Sequence, residues 1–304
     1  MASPDAILDP LPIIEARLAE LCGGDADTPR VLAEAMRYAV LNGGKRLRPL
    51  LCWHAAEAVG PPFDRLDAAD QESRLRACIA LELVHAFSLV HDDLPALDND
   101  DLRRGQPTLH KHAGEAAAIL AGDALLTYAF RVLDGMTPRP RALATSILAD
   151  ASWRMVRGQV LDTLGGFPER DPPAQRVRTV HEQKTGALIA AACLLGGVCG
   201  AARSPGEDLD AHVTALGRFG EHVGLMFQIV DDLLDEEQSA EHLGKRAGKD
   251  ARAGKLTYPA VHGIAASRAE VERLRVEARR AIDPLGVKAE NLRLFADLLA
   301  SRTK

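Results

Sequence analysis

The chain is poor in aromatic residues, in excess positive charge and in alternating strand patterns, and each shortage excludes a class of protein. Only 4% of its 304 residues are aromatic, and the abundance of Ala and Leu in their place favours helices. A formal net charge of −6 argues against a general nucleic-acid binder. Apolar and polar residues almost nowhere alternate at the period of a strand. The sequence therefore predicts a helical protein that does not bind nucleic acid.

Long hydrophobic runs and cysteine motifs are scarce as well. The most apolar run, 187–202, is short for a membrane-spanning helix, so it predicts a buried core helix. The amino terminus has neither a basic segment nor a long apolar run, so we expect no signal peptide. The five cysteines form no CxxC pair and are predicted to be buried free thiols. These observations predict a cytoplasmic protein without stable membrane insertion.

Apolar residues recur at helical spacing nearly throughout the chain. Helices are predicted over 29–41, 47–59, 65–94, 114–133, 141–164, 174–201 and 209–236, followed by two or three shorter ones. Gly and Pro residues mark the connections, and none of these is long enough to be a linker between domains. The sequence predicts one all-α domain over residues 1–304.

Two clusters of aspartate interrupt these apolar segments. They consist of Asp92, Asp93 and Asp98, and of Asp231, Asp232 and Asp235. Unpaired acids are costly in apolar surroundings. Concentrated carboxylates suit Mg²⁺, which takes one or two of them together with substrate phosphates. Because basic residues follow each cluster, the pattern predicts a site for a metal and a diphosphate.

The second cluster lies on a predicted helix. Asp231 and Asp235 are four residues apart, so they lie about 40° apart around the axis and share a face. Gln228 belongs to the same stripe, one turn earlier. A solvated helix face is the simpler alternative, but this stripe runs beside a deep apolar seam.

The first cluster requires a break in its helix. Asp92 and Asp98 would lie about 120° apart on a straight helix. Pro95 is predicted to end the helix near Leu94, so that a turn returns Asp98 towards Asp92. His85 lies on the same side as Asp92, either as a ligand contact or as a satisfied core histidine.

Two groups of basic residues have unusual positions. Lys45, Arg46 and Arg48 follow a Gly-Gly break and enter a helix, which suits an anion-binding corner, although a surface patch would have the same composition. Lys184 is followed by Gly186 within a long predicted helix beside the Ala-rich run. A lysine there is costly unless it serves a ligand.

Together these motifs resemble the trans-isoprenyl diphosphate synthases, and among them the bacterial-type farnesyl diphosphate synthases. The matching elements, in the family's order, are GGKRLRP (43–49), LVHAFSLVHDDLPALDNDDLRRGQPTLH (83–110), AGDALL (121–126), GQVLD (158–162), KTGALI (184–189), FQIVDDLLD (227–235) and LGKRAGKDARAGKLTYP (243–259). A lone DDxxD motif would be weak, whereas this ordered set is highly specific. One departure is Val230, where many relatives carry Gln.

The resemblance implies an all-α isoprenoid synthase fold with a central apolar cavity, a homodimer, and three Mg²⁺ ions when substrate is bound. The implied Mg²⁺ ligands are Asp92, Asp98, Asp231 and Asp235, with Asp93 and Asp232 in support. Residues matching positions that hold the allylic diphosphate or its leaving group are Arg103, Lys184, Thr185, Gln228, Lys245 and Lys255. Those matching the isopentenyl diphosphate site are Lys45, Arg48, His85 and Arg104.

The resemblance also implies a reaction, the condensation of isopentenyl diphosphate with dimethylallyl and then geranyl diphosphate. Phe87 lies five residues before Asp92 and is followed by the small Ser88. In the family, bulk just before the first motif stops chain growth, so Phe87 predicts farnesyl diphosphate (C15) as the product. Geranylgeranyl (C20) or geranyl (C10) diphosphate is the alternative, with Phe87 as ordinary core packing.

Three other functions share part of this pattern. A terpene cyclase would use the same metal and diphosphate chemistry but would not need a second diphosphate site. A metal-dependent phosphohydrolase of the His-Asp type is suggested by His54, His85 and the His91-Asp92 pair, but it leaves most basic motifs unexplained. A non-catalytic partner subunit usually loses acids from one cluster, and here both are whole.

Overall fold

The computed structural model describes residues 4–202, 209–241 and 256–302. Its helices are α1 (Leu11–Leu21), α2 (Arg30–Leu41), α3 (Leu47–Val59), α4 (Ala68–Asp92), α5 (Leu109–Ala113), α6 (Glu115–Leu133), α7 (Pro138–Thr163), α8 (Pro173–Val180), α9 (Ala187–Ala201), α10 (Leu209–Glu241), α11 (Tyr258–His262), α12 (Ile264–Ala281) and α13 (Glu290–Ala300). Short 3₁₀ helices span Pro4–Ile7, Phe63–Arg65 and Asp283–Ala289. The predicted all-α fold is confirmed.

The central element of the core is α9, which packs against α3, α7 and α10. Nearly all of its side chains are buried, as the apolar composition of 187–202 predicted. Two segments, Glu115–Leu133 and Pro173–Ala201, are long and apolar enough to cross a membrane by length and composition alone. The second is 78% buried inside the fold, which is typical of a core helix.

The predicted helices agree with the observed ones to within about five residues at their ends, whereas α1 and α5 were not predicted. Two further features differ. A hairpin of strands β1 (Leu102–Arg103) and β2 (Gln106–Pro107) follows the first aspartate cluster, where no strand was predicted. The predicted helix over 174–201 contains a π-helical turn, His181–Gly186, between α8 and α9. Both features lie at the candidate site.

Candidate functional site

An apolar cavity of about 360 Å³ lies between α4 and α7. Phe87, Ser88 and Asp92 line it from α4, and Met155 and Val160 line it from α7. Each helix faces the cavity over more than one turn, because Ser88 and Asp92 are four residues apart on α4 and Met155 and Val160 are five apart on α7. The aspartate end of α4 therefore adjoins a space that can hold a hydrocarbon chain.

The first acidic segment folds back on its own helix. Helix α4 ends at Asp92, two residues before the predicted end, and the backbone N–H of Asp98 donates to the Asp92 carbonyl at 2.8 Å. The N–H groups of Asn99 and Asp100 donate to the Leu94 and Asp93 carbonyls, respectively. This loop therefore returns Asp98 to Asp92, as Pro95 and the spacing predicted.

The middle acid of this segment is held by the hairpin. Asp93 is buried, and Arg103 Nε lies 2.9 and 2.8 Å from its two carboxylate oxygens. The two-residue turn of the hairpin, Arg104–Gly105, has positive φ at both positions, as a type I′ turn requires. The hairpin thus fixes Arg103, which in turn orients Asp93.

Burial changes the titration of Asp92 itself. Desolvation raises the pKa of this carboxyl to about 6, and the neighbouring Asp98 contributes in the same direction. The charge of Lys184 opposes this shift, which places the Lys184 ammonium near Asp92. Burial therefore disfavours the charged form of Asp92, and a bound cation would offset that cost.

The second acidic segment lies on the continuous helix α10. Its middle acid, Asp232, is buried and accepts three hydrogen bonds. His181 Nε2 and the backbone N–H of Tyr258 each lie 2.8 Å from Oδ2, and Gln228 Nε2 lies 3.0 Å from Oδ1. Asp232 is thus engaged by the protein itself, as Asp93 is in the first segment.

Asp231, the residue before it, faces a cluster of cations. Burial raises the pKa of Asp231, and Arg302 and Lys45 oppose that shift. Arg302 Nη1 lies 3.1 Å from Asp231 Oδ1, and its guanidinium stacks on the ring of Phe227, 5.1 Å from the centroid. The end of the chain's last described segment therefore contacts the second acidic segment.

The π-helical turn His181–Gly186 carries two of the predicted residues. Lys184 Nζ forms an ion pair with Asp162 at 2.7 Å, and Thr185 Oγ1 donates to Gln228 Oε1 at 2.8 Å. Gly158 on α7 permits this close packing, because a Cβ there would lie 2.3 Å from the Lys184 backbone nitrogen. The GQVLD and KTG motifs are therefore packing partners.

The two acidic segments face each other across a polar cavity of about 220 Å³. Asp98 lines it from the first segment, Gln228 and Asp232 line it from α10, and Lys184 and Thr185 lie between them. Lys184 and Thr185 also line the apolar cavity, so the two spaces adjoin. The fold thus places carboxylates, an ammonium group and an apolar chain-sized space side by side.

The Gly-Gly corner separates its three cations. Lys45 is exposed, whereas Arg46 is 3% exposed and pairs with Glu15 and Glu82, each at 2.6 Å. Arg46 has φ of 47° and belongs to the core rather than to an anion site. Of the three cations, Arg46 therefore has a structural role.

Arg48 and His85 line the apolar cavity near its polar end. Burial lowers the pKa of Arg48 to about 10, and its Nε has no hydrogen-bond partner among the described residues. Burial and the nearby Arg48, Arg104 and Arg103 lower the pKa of His85 well below its ordinary value, so its imidazole is neutral. Arg104 donates to the Gly43 carbonyl, which joins the hairpin turn to the Gly-Gly corner.

Lys245 and Lys255, predicted to hold the leaving diphosphate, lie outside the described residues. Most of the remaining predicted site residues line the two cavities or lie at the corner beside them; Asp231 and Asp235 line neither cavity, and Asp231 contacts Arg302. Four residues that contact the site received no role from the sequence: Asp162, His181, Tyr258 and Arg302. Asp162 and Tyr258 lie in the matched segments 158–162 and 243–259, and His181 precedes KTG by three residues, so their positions offered a signal. Arg302 lies outside every matched segment.

The donor set fits a hard cation that shares its ligands with a substrate. Among the described residues, no three His, Cys, Asp or Glu side chains are grouped so that they could hold a metal alone. Mg²⁺ does not require this, because it usually binds one or two carboxylates and completes its shell with water and phosphate oxygens. Asp92 and Asp231, whose burial disfavours their charge, suit that arrangement.

The polyprenyl synthetase family model matches residues 29–284. The large subunit 1 of a chloroplastic heterodimeric geranylgeranyl pyrophosphate synthase from Arabidopsis thaliana is 42% identical over 260 residues, which cover 83% of this chain and 66% of that protein. A chloroplastic geranylgeranyl pyrophosphate synthase from Capsicum annuum is 40% identical over 281 residues, covering 90% of this chain and 72% of that one. The chain thus spans about two thirds of the length of these plant relatives.

Solved structures match over almost the whole chain. An FPP/GFPP synthase from Zymomonas mobilis is 32% identical with a TM-score of 0.79, covering 97% of this chain and 98% of that one. A geranylgeranyl pyrophosphate synthetase from Pyrococcus horikoshii is 29% identical with a TM-score of 0.81, covering 98% and 97%, respectively.

Proposed function

This chain belongs to the polyprenyl synthetase family, and from that premise we propose that it is a trans-prenyltransferase. In the proposed reaction it joins isopentenyl diphosphate to an allylic diphosphate. The single observation that carries this proposal is the polar cavity between the two acidic segments, which adjoins the apolar cavity through Lys184 and Thr185.

In the proposed reaction the allylic C–O bond breaks and the diphosphate leaves with the electron pair. Mg²⁺, when bound, supplies positive charge to the diphosphate oxygens. Lys184 adds a fixed cation at the boundary of the two cavities, where charge develops in the transition state. Apolar side chains such as Met155 and Phe87 exclude water, which would otherwise capture the allylic cation.

The second substrate is proposed to bind near Arg48 and His85. The double bond of isopentenyl diphosphate attacks the allylic cation, a C–C bond forms, and a proton is lost to the departing diphosphate. Arg48 offers a buried Nε that no other described residue engages. His85 is neutral and can donate one hydrogen bond without being a competing charge.

The test is product analysis of the purified protein alone. Incubation with dimethylallyl diphosphate, isopentenyl diphosphate and Mg²⁺, followed by dephosphorylation and chromatography, should give longer prenyl alcohols. Farnesyl diphosphate alone should give no hydrocarbon, whereas a terpene cyclase would release one. Phosphate release without chain growth would support a phosphohydrolase, and no product at all would support a non-catalytic partner subunit.

For the length of the product, the relatives favour geranylgeranyl diphosphate (C20). The curated relatives at 42–43% identity are named geranylgeranyl pyrophosphate synthases, which supports the alternative raised above better than the C15 prediction. We therefore propose C20 as the first candidate.

Farnesyl diphosphate (C15) is the second candidate, and one observation favours it. Phe87 is 7% exposed, lines the apolar cavity and packs edge-on against His91 at 5.0 Å between ring centroids. No described residue of α4 before His85 lines that cavity, so it ends near the level of Phe87. If Phe87 stops growth, Phe87→Ala should lengthen a C15 product. If wild type and Phe87→Ala both give a C20 product, Phe87 does not limit the chain length.

We also propose that a second copy of the chain covers an exposed apolar face of α6 and α7. Leu120 and Trp153 are 61% and 62% exposed, and Val156 and Val160 are exposed although they line the apolar cavity. A partner subunit on this face would bury these side chains and close the cavity wall. Light scattering should give twice the mass of one chain, and a monomer would contradict this part of the proposal.

A further inference from the structure

The π-helical turn is tied to α10 at both of its ends. His181 Nε2 lies 2.8 Å from Asp232 Oδ2, and Thr185 Oγ1 lies 2.8 Å from Gln228 Oε1. Gln228 Nε2 also donates to Asp232 Oδ1 at 3.0 Å, which joins the two contacts. We call these four residues the π-turn bridge. Each side of the bridge is a pair four residues apart, so two helical faces meet in register.

The bridge is buried and well satisfied at its His181 end. The side chains of His181 and Asp232 are 6% and 4% exposed. Asp232 Oδ2 also accepts the Tyr258 backbone N–H at 2.8 Å, and the Tyr258 ring stacks beside that of His181 at 6.2 Å between centroids. A hydrogen bond to a buried charged group is worth more than a neutral one and is costly to leave unmade.

Lys184 lies between the two bridge residues of the turn. Its ammonium contacts Asp162 at 2.7 Å and lines both cavities, beside Asp98 and Asp92. A π-helical turn holds an extra residue compared with an α-helical one, and such turns occur mostly at functional sites. Relaxation of this turn to α-helical geometry would rotate Lys184 about the axis and away from the cavity boundary.

We propose that His181 is a positioning residue for the reaction. Through its hydrogen bond to Asp232, it keeps the turn in π-helical form and thereby holds Lys184 at the boundary of the two cavities. This role rests on the proposed prenyltransferase function, and it concerns a residue that contacts Asp232, the chain neighbour of the predicted metal ligand Asp231.

The test compares two buried histidines. His181→Phe keeps an aromatic ring beside Tyr258 but removes the donor to Asp232. The matched control is His54→Phe, because His54 is also buried, contacts the Ile7 carbonyl at 3.0 Å and packs near Phe295, away from the cavities. His181→Gln restores a donor and should recover most of the lost rate.

We expect kcat, per folded molecule, to fall roughly 10- to 100-fold in His181→Phe, the effect expected for a hydrogen bond to a charged group. The KM for isopentenyl diphosphate should stay unchanged, because Arg48 and Lys45 lie outside the bridge. His54→Phe should lower the melting temperature and leave kcat unchanged. If wild type itself forms no prenyl product, the prenyltransferase proposal fails. If wild type is active and His181→Phe is equally active, only the role of His181 fails.

Hydrogen exchange gives a second measurement that does not depend on activity. In His181→Phe, the backbone amides of residues 181–186 should exchange faster than in wild type and in His54→Phe. Equal exchange in all three proteins, or equal kcat in the two phenylalanine variants, would overturn the proposal. If His181→Phe does not fold, Thr185→Val opens the other end of the bridge and should show the same faster exchange.

Discussion

The two acidic segments reach the same cavity by different backbone routes. In the first, α4 ends at Asp92 and a hydrogen-bonded loop returns Asp98 to it. In the second, Asp231 and Asp232 lie on the uninterrupted helix α10. In both, the middle acid is engaged by the protein, Asp93 by Arg103 and Asp232 by His181. The common feature is therefore a middle acid held by protein donors, although Asp232, unlike Asp93, also lines the polar cavity.

The largest expected effect is the loss of activity when Asp92 or Asp231 is neutralised. Asp92→Asn and Asp231→Asn should each lower kcat/KM by roughly 10²- to 10³-fold, the loss found when one preorganised electrostatic contact is removed. Their melting temperatures without Mg²⁺ should not fall, because burial already disfavours both charges. Steady-state kinetics with purified variants provide the measurement. Equal activity of both variants and wild type would contradict the proposed metal site.

The two middle acids should differ from each other in stability. Asp232→Ala leaves His181, Gln228 and the Tyr258 N–H without their acceptor, so it should cost about 3–5 kcal/mol of unfolding free energy. Asp93→Ala should cost less, about 2 kcal/mol, because Arg103 is 32% exposed in its side chain and can turn to water. Urea denaturation measures both. A larger loss for Asp93→Ala would reverse the comparison.

The pH dependence of stability should reveal the buried Asp92 of the first segment. Because the pKa of Asp92 rises from 3.8 to about 6 on folding, the folded state binds more protons than the unfolded state between these values. Stability therefore falls as pH rises through this window, and above it Asp92→Asn should be more stable than wild type by about 1–2 kcal/mol. Thermal melting of metal-free wild type and Asp92→Asn at pH 4.5 and pH 8 should show a larger stability difference between the two proteins at pH 8 than at pH 4.5.

The smallest expected effect concerns Arg302, which contacts Asp231 of the second acidic segment. Arg302→Gln should change stability by about 1 kcal/mol or less, because Arg302 is partly exposed. It should lower the Mg²⁺ concentration for half-maximal binding roughly two- to fivefold, since Arg302 competes for Asp231. Calorimetry with Mg²⁺ and a diphosphate measures this. The matched control is Arg275→Gln, which breaks an ion pair with Asp297 rather than with an acid of α10. Equal affinities in both variants would contradict the competition.

Sequence periodicity predicted most of this geometry, and the exceptions have physical reasons. The return of Asp98 to Asp92 followed from Pro95, and the shared face of Asp231 and Gln228 followed from helical spacing. The π-helical turn was not predicted, because its extra residue depends on contacts with α7 and α10 rather than on local propensity. The apolar period of 174–201 is that of an ordinary helix.

The same limit applies to single residues of the basic motifs. Within Lys45, Arg46 and Arg48, composition alone cannot show that Arg46 pairs with Glu15 and Glu82, since both partners come from other helices. Arg302 contacts Asp231 from the far end of the chain. Such long-range ion pairs leave no periodic signal in the sequence.

The most direct test of the central claim is the position of bound metal. A crystal grown with Mn²⁺ and inorganic diphosphate should give anomalous scattering peaks beside Asp92 and Asp98 and beside Asp231, with the diphosphate between them. Metal at only one acidic segment, or diphosphate bound elsewhere while both segments stay without metal, would contradict the claim that the two segments share one substrate.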